Sequence, residues 1–223
     1  MATQRLSVIV PALNEAPGIR AALEALAPLR ARGHEVIIAD GGSSDETVQI
    51  ALELAEKVIH APRGRARQMN AGARAAGGDC LVFLHADSRL PDGADELIMA
   101  SVETHVWGRF DVEIEGRHPL LKVVAGAMNL RSRLTGIATG DQAIFVRRSA
   151  FPGFPEIALM EDVAFCRRMK RLGSPACRRE RVRTSGRRWE SRGVLRTILL
   201  MWRLRLAYFL GADPDKLSRL YFR

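Results

Sequence analysis

Short apolar runs alternate with helix-like segments along the first half of the chain. Nearly unbroken aliphatic or β-branched runs lie at residues 6–10, 35–39 and 80–84, with a shorter one at 57–60. Helical patterns separate them, at residues 17–32, 45–56 and 65–76. Such runs are typical of parallel strands buried on both faces, and strand–helix repetition implies right-handed crossovers. The pattern therefore predicts an α/β fold with a mostly parallel central sheet flanked by helices.

The pattern loosens after residue 87. Helical patterns lie at residues 92–105, 119–134 and 160–172, and strand patterns lie at 106–115 and 143–146. No internal repeat or linker divides the chain. We predict one α/β domain over residues 1–183 and a basic, amphipathic helical extension over residues 184–223. The extension would pack on the domain, on a partner subunit or on a membrane surface.

Carboxylates follow three of the predicted strands. Glu15 comes soon after the first strand, Asp40 directly follows the second, and Asp87 comes soon after the run at 80–84. The carboxyl ends of parallel strands meet at one edge of a sheet, where open α/β folds bind ligands, so these side chains are expected to lie together. Divalent cations such as Mg²⁺ prefer oxygen ligands. The arrangement suits a nucleotide and a divalent cation.

The charge of the chain is uneven, since residues 1–162 carry a net charge of −4 and residues 163–223 carry +13. A basic tail indicates contact with an anionic lipid surface, a phosphorylated acceptor or nucleic acid; solvated helix faces are the simpler alternative. Arg196, Arg203 and Arg205 interrupt the longest apolar stretch, so we predict no membrane span. The first apolar run is too short for a signal peptide, and the three cysteines show no metal-ligand spacing. Both observations favour a cytoplasmic location, either free or in peripheral contact with the inner face of the membrane.

Six short motifs occur in a specific order along the chain. They lie at residues 10–15, 39–45, 64–72, 83–87, 140–142 and 160–162, with the sequences VPALNE, ADGGSSD, GRARQMNAG, FLHAD, GDQ and MED. Each motif is weak alone, but the ordered series resembles the family 2 glycosyltransferases over most of the chain. The resemblance implies the GT-A nucleotide-sugar-binding fold, and metal-dependent, inverting transfer of a sugar to an acceptor hydroxyl.

The resemblance also implies a nucleotide-sugar site at the edge of the sheet. Glu15 would accept hydrogen bonds from ribose hydroxyls and Asp40 from the base edge, although Glu15 taken alone is typical of a first helical turn. The diphosphate needs positive charge, which Arg63, Arg65 and Arg67 could supply. Because of their spacing on a helix, only one or two of them can face one ligand. The predicted nucleotide-sugar-binding residues are Pro11, Asn14, Glu15, Asp40, Arg63, Arg67, Asn70, Ala86, Asp141 and Arg188.

Residues 85–87 occupy the place of the family's DXD motif. Asp87 matches the last aspartate, so the resemblance makes it the ligand of Mg²⁺ or Mn²⁺, together with diphosphate oxygens. His85 replaces the first aspartate, which removes one negative charge and leaves open what that position does toward the sugar or ribose. The simpler interpretation of His85 is a histidine at a strand end that is bonded to backbone.

By resemblance, Asp162 is the general base that takes the proton of the acceptor hydroxyl, and Glu161 supports it. The alternative is an acidic pair that stabilises the start of a helix.

Arg188 and Trp189 match the end of the QxxRW motif of processive synthases, but Ser185 stands where glutamine would be. Together with the lack of predicted spans, this argues against polymer synthesis and extrusion.

The predicted partners are a UDP- or GDP-linked sugar donor and a hydroxyl acceptor that a lipid could carry. In the tail, Arg192, Arg196 and Arg203 share one helical face, which would rest on an anionic membrane, on the domain or in a homodimer. Nucleic acid is not expected.

One alternative to a glycosyltransferase is a sugar-nucleotidyltransferase, but residues 10–15 lack the glycine-rich loop of that class. The other is a non-catalytic, basic module that binds membrane or nucleic acid.

Overall fold

The computed structural model describes residues 4–221, which form one mixed sheet with helices on both faces. Its strands are β1 (Leu6–Ala12), β2 (Glu35–Asp40), β3 (Lys57–His60), β4 (Cys80–Phe83), β5 (Ser88–Arg89), β6 (Trp107–Glu115), β7 (Ile144–Arg147) and β8 (Ala176–Ser185). The helices are α1 (Ala16–Glu24), α2 (Ala27–Ala31), α3 (Thr47–Leu54), α4 (Arg65–Ala75), α5 (Ala94–Thr104), α6 (Leu120–Thr135), α7 (Glu161–Met169), α8 (Arg187–Arg192), α9 (Val194–Phe209) and α10 (Pro214–Tyr221).

The strands lie in the order β3-β2-β1-β4-β7-β6-β8-β5. The four strands on the β3 side are parallel to one another, β7 runs antiparallel to both β4 and β6, and β8 is parallel to β6. The predicted α/β fold with a mostly parallel sheet is confirmed. The parallel half brings the carboxyl ends of β1, β2 and β4 to one edge, because β1 lies between the other two strands.

One predicted helix was wrong, and strand β8 was missed. The helical pattern at 17–32 forms two helices, α1 and α2, because Pro28 lies in the first turn of α2 and has no N–H to continue a helix through that point. Strand β8 was not predicted at all. Its sequence, ACRRERVRTS, has few apolar residues, and it is held by pairing with β6 along most of its length.

The core has two parts, one on each face of the sheet. Along β1, Val8 and Val10 face one part and Ile9 faces the other, as expected for a strand buried on both sides. The extension packs on the domain through two smaller clusters: Val194 of α9 contacts residues of α6, and Leu204 contacts the segment just before α7. Among residues 4–221, every helix is either too short or too polar to span a bilayer.

Gly72 allows α4 to lie close against β1. A Cβ at this position would lie 2.4 Å from Cγ2 of Ile9, which is fully buried, so Gly72→Ala is expected to lower the free energy of unfolding by about 1–3 kcal/mol. Gly126 in α6 is the matched control, because a Cβ there has no atom within 4 Å. Gly126→Ala should raise stability by about 0.5–1 kcal/mol. Urea unfolding of both variants checks this, and equal effects would contradict it.

Candidate active site

A cleft of about 810 Å³ opens at the carboxyl ends of β1 and β4. The N-terminus of α4, the segment leading into α7 and helices α8 to α10 form its other walls. Most of the predicted site residues line this cleft, although they come from distant parts of the chain: Pro11, Glu15, Arg63, Arg67, Ala86, Asp87, Asp141, Glu161, Asp162 and Arg188. The structure therefore brings together the residues of five of the six motifs.

Asn14 and Asp40 join the loops at this edge and are not among the lining residues of the cleft. Asn14 has a φ of 54°, and its Oδ1 accepts a hydrogen bond of 2.8 Å from the backbone N–H of Ser44. The Asp40 carboxylate is buried and accepts hydrogen bonds from the N–H groups of Gly42 and Ser43 and from the Ser43 hydroxyl. These bonds hold the two loops in shape, and the contacts predicted between Asn14 or Asp40 and a nucleotide stay predictions.

Asn70 is buried beneath the cleft. Its Nδ2 donates a hydrogen bond of 2.9 Å to the carbonyl oxygen of Phe154, and its Oδ1 accepts one of 2.7 Å from the Phe154 N–H. Both ends of the amide are therefore used to hold the loop before α7 on α4. This arrangement gives Asn70 a positioning role under the cleft, while its predicted part in nucleotide binding stays a prediction.

His85 contacts a carboxylate as well as the loop opposite. Its Nδ1 lies 3.1 Å from Oδ1 of Asp141, and its Nε2 lies against Gly140, where a Cβ would come within 2.3 Å. The interpretation of His85 as a histidine bonded to backbone is therefore wrong. Burial acts to raise the pKa of Asp141, but the hydrogen bond from His85 and the charges of Arg65 and Arg188 outweigh it, so the pKa is lowered. Asp141 stays ionised in the cleft.

Asp87 and Glu15 are two further carboxylates that line the cleft. Burial raises the pKa of Glu15, and the negative charge of Asp87 raises it further, against the opposing effect of Arg187 and Arg188. The Asp87 carboxylate accepts a hydrogen bond of 3.4 Å from the Ser88 hydroxyl. A cation at this point would relieve the repulsion between the two carboxylates.

Glu161 and Asp162 lie at the first turn of α7. Asp162 Oδ2 accepts a hydrogen bond of 3.1 Å from the N–H of Gly140, and Oε1 of the buried Glu161 lies 3.5 Å from Nη1 of Arg65. Burial and the neighbouring charge of Glu161 raise the pKa of Asp162 to about 6, although Arg65 acts against this. A carboxylate with this pKa is ionised at neutral pH and is also basic enough to accept a proton.

The structure adds cleft residues that sequence reasoning missed or left undecided. Arg65 lies nearest to Glu161 among the arginines of its series, whereas Arg67 lies 3.3 Å from Glu156. The i, i+2, i+4 spacing of the three arginines predicted that only one or two could face one ligand, and all three line the cleft. Arg65 therefore belongs in the candidate site.

Arg188 and Tyr221 meet at the mouth of the cleft. Arg188 Nη1 donates a hydrogen bond of 2.8 Å to the Tyr221 hydroxyl, and Arg192 Nη1 donates one of 2.8 Å to the Tyr221 carbonyl oxygen. Helix α10 is thereby held against α8, and both line the cleft. No local pattern in the sequence links these residues, because they lie about 30 positions apart.

Comparison with known proteins gives consistent matches. Residues 7–150 match the model of the family described as Glycosyl transferase family 2. Over 171 residues the chain is 34% identical to the PGL/p-HBAD biosynthesis glycosyltransferase of Mycobacterium bovis, which covers 68% of this chain and 62% of that relative. The chain thus spans less than two thirds of the relative's length. Over 118 residues it is 36% identical to the succinoglycan biosynthesis protein ExoA of Rhizobium meliloti, covering 42% and 35% of the two chains.

Two solved structures share the fold. TarS residues 1–349 of S. aureus in complex with UDP matches with a TM-score of 0.64 and 20% identity, covering 81% of this chain and 60% of that one. Glucosyl-3-phosphoglycerate synthase of Mycobacterium tuberculosis in complex with Mn²⁺ and UDP-glucose matches with a TM-score of 0.60 and 18% identity, covering 82% and 71%. At these identities the likeness shows the fold alone, and it confirms the GT-A fold implied by the sequence motifs.

Proposed function

Because the chain belongs to glycosyl transferase family 2, we propose that it transfers a sugar from a nucleoside-diphosphate sugar to an acceptor hydroxyl. One observation carries the proposal: carboxylates and arginines from distant segments meet around one cleft. Asp87, Glu15, Glu161 and Asp162 all line it, and Arg65 lies near Glu161. A donor with a negatively charged diphosphate and a neutral sugar matches this distribution of charge.

The proposed donor is a UDP- or GDP-linked sugar. Two proteins with the same fold bind UDP and UDP-glucose in their crystal structures, which favours uridine for this chain as well. Arg65 and Arg188 line the cleft and supply positive charge for the diphosphate, whose negative charge grows as it leaves. Glu15 and Asp40 are the proposed acceptors of hydrogen bonds from the ribose and the base.

A divalent cation, Mg²⁺ or Mn²⁺, fits the donor set on the Asp87 side. The carboxylates of Asp87 and Glu15 repel each other there, and a cation prefers such oxygen ligands. Within residues 4–221 no group of three or more His, Cys, Asp or Glu side chains is placed to hold a metal by itself. We therefore propose that Asp87 holds the cation and that the remaining ligands come from the diphosphate. When bound, the cation neutralises charge on the leaving diphosphate.

In the proposed reaction Asp162 is the general base. Its carboxylate accepts the proton of the acceptor hydroxyl while that oxygen forms a bond to the anomeric carbon and the bond from this carbon to the diphosphate breaks. Oδ2 of Asp162 is oriented by the N–H of Gly140, and the charge of Glu161 keeps the group basic. A single displacement of this kind inverts the anomeric configuration, as proposed for this chain.

The proposed acceptor site lies between the catalytic pair and the helical extension. Side chains of the loop before α7 and of α9 add apolar surface to this part of the cleft, among them Leu159, Leu200 and Met201. An acceptor that presents its hydroxyl beside an apolar group suits such a wall, which is consistent with a lipid-linked acceptor.

The three cysteines are free thiols, in keeping with the proposed cytoplasmic location.

A thermal-shift panel of UDP-, GDP- and dTDP-linked sugars, each with and without Mn²⁺, tests the proposed function. A donor at about 100 times its Kd adds about 2.7 kcal/mol to stability, which for a chain of this size raises the Tm by roughly 5–10 °C. We expect one base to give this shift, and the shift to be larger with Mn²⁺. The free sugars serve as controls. A flat response to every nucleotide would count against the proposal.

A further inference from the structure

Helix α9 presents an apolar stripe that is largely exposed within residues 4–221, with Arg167 over its last ring, that of Phe209. The stripe consists of Leu195, Leu199, Trp202, Leu206 and Phe209, and each of these side chains is between 62% and 75% exposed. Their spacing of four, three, four and three residues places them along one side of the helix. A different side of α9 is the one that packs on the domain. The helix is therefore apolar on two sides, of which only one is covered.

Helix α6 adds a second exposed stripe beside the first. Val123, Leu130 and Leu134 are each more than half exposed. Helical spacing puts them next to the side of α6 on which Val124 lies, and Val124 belongs to the same cluster as Ile198 of α9. The two stripes therefore adjoin along the contact between α6 and α9. We call this combined surface the α6–α9 face.

The charged residues on the two helices of the α6–α9 face are all positive. Neither helix contains an aspartate or glutamate, and Lys122, Arg196 and Arg203 are exposed on them. Arg167 of α7 adds a further cation at one end, since its guanidinium carbon lies 5.3 Å from the centroid of the Phe209 ring. An occupant of this face must accept apolar side chains and be negatively charged.

We infer that the α6–α9 face docks on an anionic lipid bilayer. Apolar side chains can enter the boundary between headgroups and acyl chains, while arginine and lysine at the border contact acidic headgroups. Exposed Trp202 and Phe209 suit this boundary, where aromatic side chains are enriched. A second copy of the chain is a poorer occupant, because a symmetric contact through this face would bring cations against cations without acids from either helix.

Docking would place the cleft close to the bilayer. Thr197, Met201 and Arg205 lie on another side of α9 and line the cleft, so about one helix diameter, ~10–12 Å, separates the cleft from the docked surface. Resting on the proposed function, this identifies the acceptor class as a hydroxyl-bearing amphiphile held in the membrane. Such an acceptor could reach Asp162 without leaving the bilayer entirely.

Vesicle flotation of the full chain tests the docking. We expect binding to vesicles of phosphatidylcholine mixed with phosphatidylglycerol, little binding to phosphatidylcholine alone, and weaker binding at high salt. Leu206→Asp should lower the partition coefficient about tenfold, and Arg196→Gln combined with Arg203→Gln should lower it by a similar factor. Leu52→Asp is the matched control, because Leu52 is also 64% exposed but lies on α3, and this variant should bind like the wild type.

Trp202 provides a local readout of the same event. Its emission should shift to shorter wavelength when acidic vesicles are added, and Trp202→Phe should remove the shift while vesicle binding persists. Binding that is equal on neutral vesicles, or unchanged in Leu206→Asp, would overturn the inference. So would a dimer that Leu206→Asp converts to a monomer, since the face would then join two copies. The Tm shift caused by the nucleotide-sugar in Leu206→Asp shows separately whether the proposed function holds.

Discussion

Asp162→Asn is expected to lower the kcat of sugar transfer by about 10²–10⁴-fold, the usual contribution of a general base. An asparagine side chain cannot take the acceptor proton, but it has nearly the same shape and can still accept the hydrogen bond from the Gly140 N–H. Donor binding should therefore change little. Release of the nucleoside diphosphate, with water or an added alcohol as acceptor, measures the rate, and calorimetric titration measures donor affinity.

The control for this variant is Asp92→Asn, which makes the same change at an exposed position that does not line the cleft. Its rate should match that of the wild type. If Asp162→Asn retains most of the activity while donor binding is intact, another group must take the proton. The assignment of Asp162 as the general base would then be wrong.

The pH dependence of kcat/KM gives a second test of the same residue. Asp162 acts as a base only when ionised, and its pKa is raised to about 6, so the rate should rise with pH up to that region and then level off. Glu161→Gln removes the neighbouring negative charge, which lowers the pKa of Asp162 and moves the rise to lower pH. A profile that is unaffected by Glu161→Gln would show that this charge does not control the base.

Asp87→Asn is expected to weaken donor binding in the presence of Mn²⁺ on the order of 100-fold, because a cation loses its charged protein ligand and the diphosphate loses its neutralising partner. Wild-type affinity for the nucleoside diphosphate should drop when Mn²⁺ is removed by chelation. The affinity of the variant should be low with or without the metal. Calorimetric titration under both conditions measures this.

Two features make the Asp87 experiment specific. The substitution keeps the size of the side chain and its ability to accept the hydrogen bond from Ser88, so the fold should be preserved. It also removes negative charge next to Glu15, which should lower the pKa of that carboxyl. Retention of Mn²⁺-stimulated binding in the variant would place the cation elsewhere.

The parallel half of the sheet and the acids at its edge were predictable from the sequence. Strands β1, β2 and β4 are short apolar runs, and the residues that follow such strands must lie at one edge because the strands are parallel. Asp87 and Glu15 were identified in this way, and the ordered motifs added Glu161 and Asp162. The structure places all four along one cleft, and their roles toward a donor, a cation or an acceptor stay predictions.

Other features are decided by contacts between distant residues. Strand β8 exists because β6 offers a partner, and the amide of Asn70 is used by the backbone of Phe154, 84 positions away. In α9 the sequence showed many apolar residues but not which of them are covered: Ile198 packs on the domain, whereas Trp202 is exposed.

The sequence by itself determined the class of fold, the order of its main elements and the carboxylates at the sheet edge, because backbone geometry links local patterns directly to strands, helices and their ends. Only the tertiary structure decided that Arg65 lies beside Glu161, that His85 contacts Asp141 and that one apolar side of α9 stays exposed. These outcomes depend on how whole elements pack against each other. Packing is a property of the complete chain that no short window of sequence contains.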